Sequence, residues 1–498
     1  MPVMSKVPEL LFYLIIAILV LIRGYYFIEF GPIYSNDSGG YESYALLLMQ
    51  QTEQMSFLDL NWGHGLGTTT FRSIGYPAVL AFFMLISPDH FDWLVIGLQT
   101  LLSFFCGSLL YKLSLAFFKN RWISLFVFAS YILSLGLVLD QSILTDSLSA
   151  SLVLIMICYV GIWILTDKQL SWSHFLGLGI LMALSFFVRE AGAILQYLMW
   201  PMILILIVTK HRNWKTSLGM FLAFVMPMFL SIQGYKTWNE YRTGESFVTT
   251  AARTTVYFPA FDMMKRGHDP FTGDQYLDGA PVTHEMLQRL SPNEIMVLVS
   301  EYVYNKHQMN AVDMARYGYK YYFKLWQQFP ADMLRQTFKN IRVKAGFLAV
   351  MPIESYITLR YWSNWDLDSR PYSGTKDMKH KVLNEGRFDL AFLYLCQSLF
   401  RLISFLFFLG FTIGVPILVV RRMLRDGITR LTKTENLKIL TSLSFWVIFW
   451  GYVFAYALVH LELRYLLPVV PIGMIAGIYS WSEARNYMRM RKLQKMAD

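Results

Sequence analysis

Charge is scarce in this chain. Asp, Glu, Lys and Arg make up 16% of its 498 residues, against about 25% in soluble domains. The apolar share of 55% and the mean hydropathy of +0.39 are correspondingly high. Cysteine is scarcer still: Cys106, Cys158 and Cys396 all lie in or beside apolar runs, which argues against a disulfide framework or a thiolate metal site. Internal repeats, low-complexity tracts, a P-loop and a Gly-rich dinucleotide fingerprint are also missing. No site for a nucleotide-sugar is visible.

What the chain does have is a series of apolar runs of roughly 18 residues or more, enough to cross about 30 Å of hydrocarbon. Runs near 9–30, 92–118, 122–139, 147–166, 216–233, 388–420, 438–459 and 465–482 read as transmembrane helices. Residues 174–208 are apolar apart from Arg189 and Glu190 in the middle. Such a pair is expensive at mid-bilayer and cheap in a turn, so this stretch reads as two helices around the pair. The first run is too long for a signal-peptide core and no small-residue cleavage site follows it; it reads as an uncleaved helix.

The formal net charge of +10 has a topological source. Lys and Arg cluster at 119–121, 210–215, 421–438 and 485–495. With the N-terminus inside, about ten helices place all four clusters on the cytoplasmic side, as the positive-inside rule requires. A nucleic-acid partner is not expected. The fold class expected is an all-α polytopic membrane protein. Residues 1–233 form a transmembrane module with an outer loop at 31–91, where YESYALLLMQQ and GYPAVLAFFMLI are too short to span and read as interfacial helices. Residues 234–387 are mixed in charge and rich in aromatics, and read as a mainly helical extracytoplasmic domain. Within it the run from EYVYNK to FPADML reads as helix, ending near Phe329 because the residue before Pro330 disfavours helical geometry. Residues 388–498 carry the last helices and a basic cytoplasmic tail.

Under this topology charged groups collect at the outer face: Asp37, Asp140, Asp146, Arg189, Glu190, His460, Glu462 and Arg464. Each alone is unremarkable, because helix ends are where charges normally sit. Their arrival at one depth and one side is more informative. Sugar transfer onto a hydroxyl needs a carboxylate to take the acceptor proton, and cations or a metal to stabilise a phosphate leaving group. Asp37 suits the base. Asp146 suits a partner to it or to a metal, and Arg464, with Arg189, suits a phosphate clamp. Glu53 and His64 in the first loop are lesser metal candidates, and HDPFTGDQYLD reads as a plain turn, lacking the acid spacing of a calcium loop.

Those residues carry a resemblance. The chain resembles the GT-C superfamily of polytopic glycosyltransferases, in particular the branch of protein O-mannosyltransferases and the lipid A aminoarabinose transferase. That branch has an acidic first-loop motif, Asp-Glu with Tyr four residues after the Asp; Asp37 and Tyr41 keep the spacing, with Ser38 in place of the Glu. RSIGYP, Arg72 to Pro77, is similar to the family's Arg-x-Pro-Gly-Tyr-Pro segment. Thr145-Asp146, Val188-Arg189-Glu190 and Arg464-Tyr465-x-x-Pro468 follow in the family's order. The resemblance covers residues 1–233 and about 388–482. It implies a GT-C-like bundle, a polyprenyl-phosphate sugar donor, Asp37 and Asp146 as catalytic or metal-linked carboxylates (Mg or Mn), and Arg464 and Arg189 as donor-phosphate ligands. Tyr41, Arg72, Glu190, His460, Glu462 and Tyr465 are the supporting set.

The expected function is therefore transfer of a sugar to a lipid, glycan or protein acceptor on the outer face, in a bacterial plasma membrane. Two alternatives stay open. One is a transporter or flippase of a lipid-linked glycan, although inverted repeats and mid-membrane charges of that class are not seen. The other is a surface-polysaccharide polymerase or ligase using a diphosphate-linked donor.

Overall fold

The computed structural model describes residues 7–35, 37–50, 68–134, 136–190, 192–210, 213–290, 292–342, 383–426 and 436–497. Glu53, His64 and the aromatic run YITLRYWSNW lie outside the described residues. Regular structure among those described is helical, apart from one isolated parallel bridge between Ile33 and Ser142. In chain order the longer helices are α1 (Val7–Phe30), α2 (Ser38–Gln50), α3 (Gly75–Ile86), α4 (Phe91–Phe118), α5 (Arg121–Ile132) and α6 (Thr145–Leu165). Next come α7 (Trp172–Val188), α8 (Gly192–Lys210), α9 (Trp214–Thr243), α10 (Pro292–His307), α11 (Ala311–Gln328) and α12 (Pro330–Asn340). The last are α13 (Phe388–Leu409), α14 (Val415–Asp426), α15 (Leu437–Ala457) and α16 (Val470–Ala497).

Among the described residues seven helices are long and apolar enough to cross a membrane: Glu9–Phe30, Phe91–Phe118, Thr145–Leu165, Ala193–Lys210, Trp214–Thr243, Leu406–Arg425 and Leu437–Ala457. The first of them turns Leu10, Leu14, Leu21 and Ile28 outward, all exposed, as a lipid-facing helix should. Three helices of the sequence-based count fall short of that standard. α5 ends at Ile132, and the turn at Leu133 and Ser134 cuts an apolar run that a hydropathy count passes over. α7 has 17 residues. α16 runs on from its apolar start into the basic tail, through Arg485, Arg489 and Arg491.

The helix break at Arg189 and Glu190 lies between α7 and α8. The break at Phe329 also stands, with Pro330 opening α12. The long run before it is two helices instead of one: Gln308 takes a left-handed φ of 53° and Asn310 caps α11 through the N–H groups of Val312 and Asp313. α9 continues past residue 233, where its apolar stretch ends, to a left-handed Gly244.

Three cores organise the chain. The main one joins α4, α6, α7, α8, α15 and α16. A second closes residues 252–333 on themselves around Tyr257, Phe261, Val299 and Tyr321, so this unit has its own apolar centre. The third seats α2 and α3 against Val95, Ile143 and Leu148, fixing the segment after α1 over the bundle end.

Asp140 is not part of the outer charge cluster. It is 1% exposed and paired with Arg23 of α1, itself 2% exposed; Ser147 donates to its other oxygen at 2.5 Å. Removing one member of such a pair leaves a buried charge uncompensated. Asp140→Ala is expected to destabilise the protein by about 3–5 kcal/mol, read by unfolding in detergent. An Arg23→Met/Asp140→Leu double variant should recover most of the loss, because apolar replacement of both partners strands neither.

Candidate functional site

The segment after α1 is tied through backbone to the turn that leads into α6. Ile33 donates to the Gln141 carbonyl at 2.8 Å and Ile143 donates to the Ile33 carbonyl at 2.9 Å. Asp37 then falls directly before α2, and Asp146 in the first turn of α6. Both carboxylates thus sit at helix N-termini, where the backbone dipole favours negative charge.

The RSIGYP segment brings in the first cation. Gly75 opens α3 against the backbone of Phe187 and Val188, so closely that a Cβ there would overlap main-chain atoms. Ser73 donates to the Val188 carbonyl at 3.3 Å. The same contact holds Arg72 on one side and Arg189, the next residue after Val188, on the other. Gly75→Ala has no flexible side chain to push aside, so it should separate the two arginines. The expected result is lower thermal stability, by about 1–3 kcal/mol as for overpacking, read by unfolding in detergent.

Six charged side chains meet here. Arg72 Nη2 donates to Asp37 Oδ1 at 2.7 Å, and its Nη1 to the Tyr41 hydroxyl at 3.1 Å. Arg189 Nη1 donates to Asp146 Oδ1 at 2.5 Å. Arg464 joins three acids: Nη2 to Asp37 Oδ2 at 3.3 Å, Nη1 to Asp146 Oδ2 at 3.4 Å and Nε to Glu462 Oε2 at 2.5 Å. His460 Nε2 lies 3.0 Å from Glu462 Oε1, and its ring meets Phe258 of the 252–333 unit edge-on at 5.3 Å. Tyr465 lies under the Arg189 guanidinium at 4.3 Å. Asp37, Tyr41, Arg72, Asp146, Arg189, His460, Glu462, Arg464 and Tyr465 therefore belong to one connected cluster. Glu190 adjoins it, its charge felt by Arg72 and Tyr456, but it makes no ion pair among the described residues.

Exposure separates the two aspartates. The Asp146 side chain is 4% exposed and that of Asp37 33%, so of the two only Asp37 is reachable from outside the cluster. Burial pushes the Asp37 carboxyl up, and Arg72 and Arg464 outweigh it, holding the group below the usual carboxylate range. Glu462 is likewise pushed up by burial but held well below that range by His460 and Arg464. Depressed carboxyls contribute stability that is present above their ordinary values, about 4, and is lost as pH falls through the folded ones. Unfolding temperature is expected to stay level from about pH 8 to about 5 and to drop below about 4. Glu462→Gln should shallow that acid limb.

Each oxygen of Asp37 and of Asp146 already faces a guanidinium. No group of three or more His, Cys, Asp or Glu able to hold a metal occurs among the described residues. The chemistry the cluster does offer is anion binding by arginines that are themselves neutralised by carboxylates, one of them accessible.

Two further residues with specific partners were not singled out in the sequence. Arg23, which pairs with Asp140 away from this cluster, is one, although an arginine inside an apolar run is itself a signal that a partner exists. Tyr456, whose ring lies 4.7 Å from that of Tyr465, carries no such signal among so many aromatics. No family model, curated protein or solved structure matches the chain.

Proposed function

We propose that the protein is a GT-C-like membrane glycosyltransferase that moves a sugar from a polyprenyl phosphate to an acceptor hydroxyl at the non-cytoplasmic face of a bacterial plasma membrane. The observation that carries this reading is the bridging of Asp37 and Asp146 by Arg464. It supports a site in which an exposed carboxylate stands beside a bidentate cation.

In the resting arrangement Asp37 is a weak base, held down by two guanidiniums. A donor phosphate competes for Arg464 and Arg189, since arginine forks match phosphate as well as carboxylate. Once Arg464 turns to phosphate, Asp37 loses one of its two cations and its basicity rises. The acceptor hydroxyl then gives its proton to Asp37 as its oxygen bonds to the anomeric carbon. The bond from that carbon to the phosphate oxygen breaks, and the polyprenyl phosphate leaves on the arginines. This single displacement inverts the anomeric centre. Arg72 and Tyr41 hold Asp37 in place, and His460 with Glu462 hold Arg464. No step is routed through a metal.

The reading treats α5, α7 and α16 as crossings beside the seven long apolar spans, giving a bundle of about ten. The test is incubation of membranes containing the protein with labelled polyprenyl-phosphate sugars and total lipid and glycan acceptors. Transfer from a monophosphate donor supports the reading; transfer only from diphosphate donors, or sugar movement across the bilayer without transfer, contradicts it.

A further inference from the structure

Arg253 lies outside the cluster just described and is 3% exposed. It belongs to the short helix Ala252–Thr255 at the edge of the 252–333 unit. Among the described residues its Nε and Nη2 are buried with no hydrogen-bond partner. Burial alone pushes the guanidinium down, to about 10, with no carboxylate among the described residues to offset it. A buried cation without a partner is among the most costly features a fold can hold.

The position of this cation is suggestive. Its guanidinium carbon lies 5.5 Å from the centre of the Phe71 ring, and that of Arg72 lies 4.9 Å from the same ring. The two segments are fastened together: Thr250 donates its N–H to the Thr70 carbonyl at 2.8 Å, and the two threonine hydroxyls are 3.5 Å apart. One aromatic ring therefore connects a fully paired arginine of the candidate centre to an unpaired one beside it.

We propose that Arg253, with Phe71 as its floor, is a second anion subsite that receives a phosphoryl oxyanion next to the Arg72–Asp37 pair. This concerns binding alone and does not require a sugar to be transferred. The phosphoryl group has two possible sources, a second phosphate on a polyprenyl lipid or a phosphate outside it, and the same variants tell them apart.

The test uses full-length protein in detergent, unfolded by heat with and without inorganic phosphate and pyrophosphate, as wild type, Arg253→Met and Arg253→Lys. Without anion, Arg253→Met should unfold at or above the wild-type temperature, because it removes an uncompensated charge. Phosphate or pyrophosphate should stabilise the wild type, and Arg253→Met should weaken that apparent affinity by about tenfold, as expected for one charge-assisted hydrogen bond; Arg253→Lys should keep part of it. In nanodiscs, a tenfold loss confined to polyprenyl diphosphate, with polyprenyl monophosphate unchanged, assigns the phosphoryl group to the lipid. Loss of the inorganic-phosphate effect with both lipids unchanged assigns it to a separate ligand. An Arg253→Met protein less stable than wild type, with anion stabilisation intact, makes Arg253 a packing residue and overturns the proposal, as does a wild type that no anion stabilises. Arg464→Gln measured alongside separates the two readings, since it should end sugar transfer while leaving the Arg253-dependent binding in place.

Discussion

Asp37→Asn is expected to lower sugar transfer by about 10²–10⁴-fold in a protein that still folds. The size follows from the role: the amide keeps the shape of the carboxylate but cannot accept the acceptor proton. The folding expectation follows from geometry. Asp37 is the more exposed of the two aspartates, and its partner Arg72 keeps a hydrogen bond to Tyr41 and a cation–π contact with the same ring at 4.8 Å. An equally deep loss of folding stability would make Asp37 a structural anchor. Normal transfer by Asp37→Asn would remove it as the base.

Arg464→Lys is the second large effect, because charge is conserved and activity should not be. The arginine reaches Asp37, Asp146 and Glu462 from three different nitrogens. An ammonium is a point charge on a flexible stem and cannot span three carboxylates in one plane. Transfer is expected to fall by about 10²–10³-fold, the range for losing one preorganised donor at a developing anion. Thermal stability should fall too, since three acids would be left sharing less cation. Assays at raised donor concentration distinguish binding from chemistry: a defect confined to KM would reduce Arg464 to a donor anchor, whereas a lowered kcat supports its action on the leaving group.

Much of the cluster was legible in the sequence because the chain is so poor in charge. Against an apolar background, Asp37, Asp146, Arg189 and Arg464 stand out, and helix parity sends all four to the same end. In the structure Arg464 reaches both Asp37 and Asp146, and Arg189 reaches Asp146. Their pairings were not legible. Asp140 has the same sequence signature as Asp146 and lies shortly before it in the chain, in the turn that precedes α6, yet it turns inward to Arg23. That choice is set by the packing of α1 against the bundle, which hydropathy does not encode. Nor did periodicity show the break at Gln308, which depends on a single left-handed residue and an asparagine cap. Arg253 was invisible for a related reason: in a mixed-charge segment a buried arginine looks like any surface one.

The central claim is that the ionic cluster opens to the non-cytoplasmic side. Cysteine labelling in intact cells tests it most directly, with Cys106, Cys158 and Cys396 replaced by alanine and single cysteines introduced as Asp89→Cys, Glu285→Cys or Arg489→Cys. Asp89 is exposed in the turn between α3 and α4, Glu285 is exposed on the 252–333 unit, and Arg489 is exposed near the end of α16. A membrane-impermeant maleimide should label Asp89→Cys and Glu285→Cys directly, and Arg489→Cys only after the membrane is opened. Labelling of Asp89→Cys and Glu285→Cys from opposite sides, or of Arg489→Cys alone in intact cells, would contradict it.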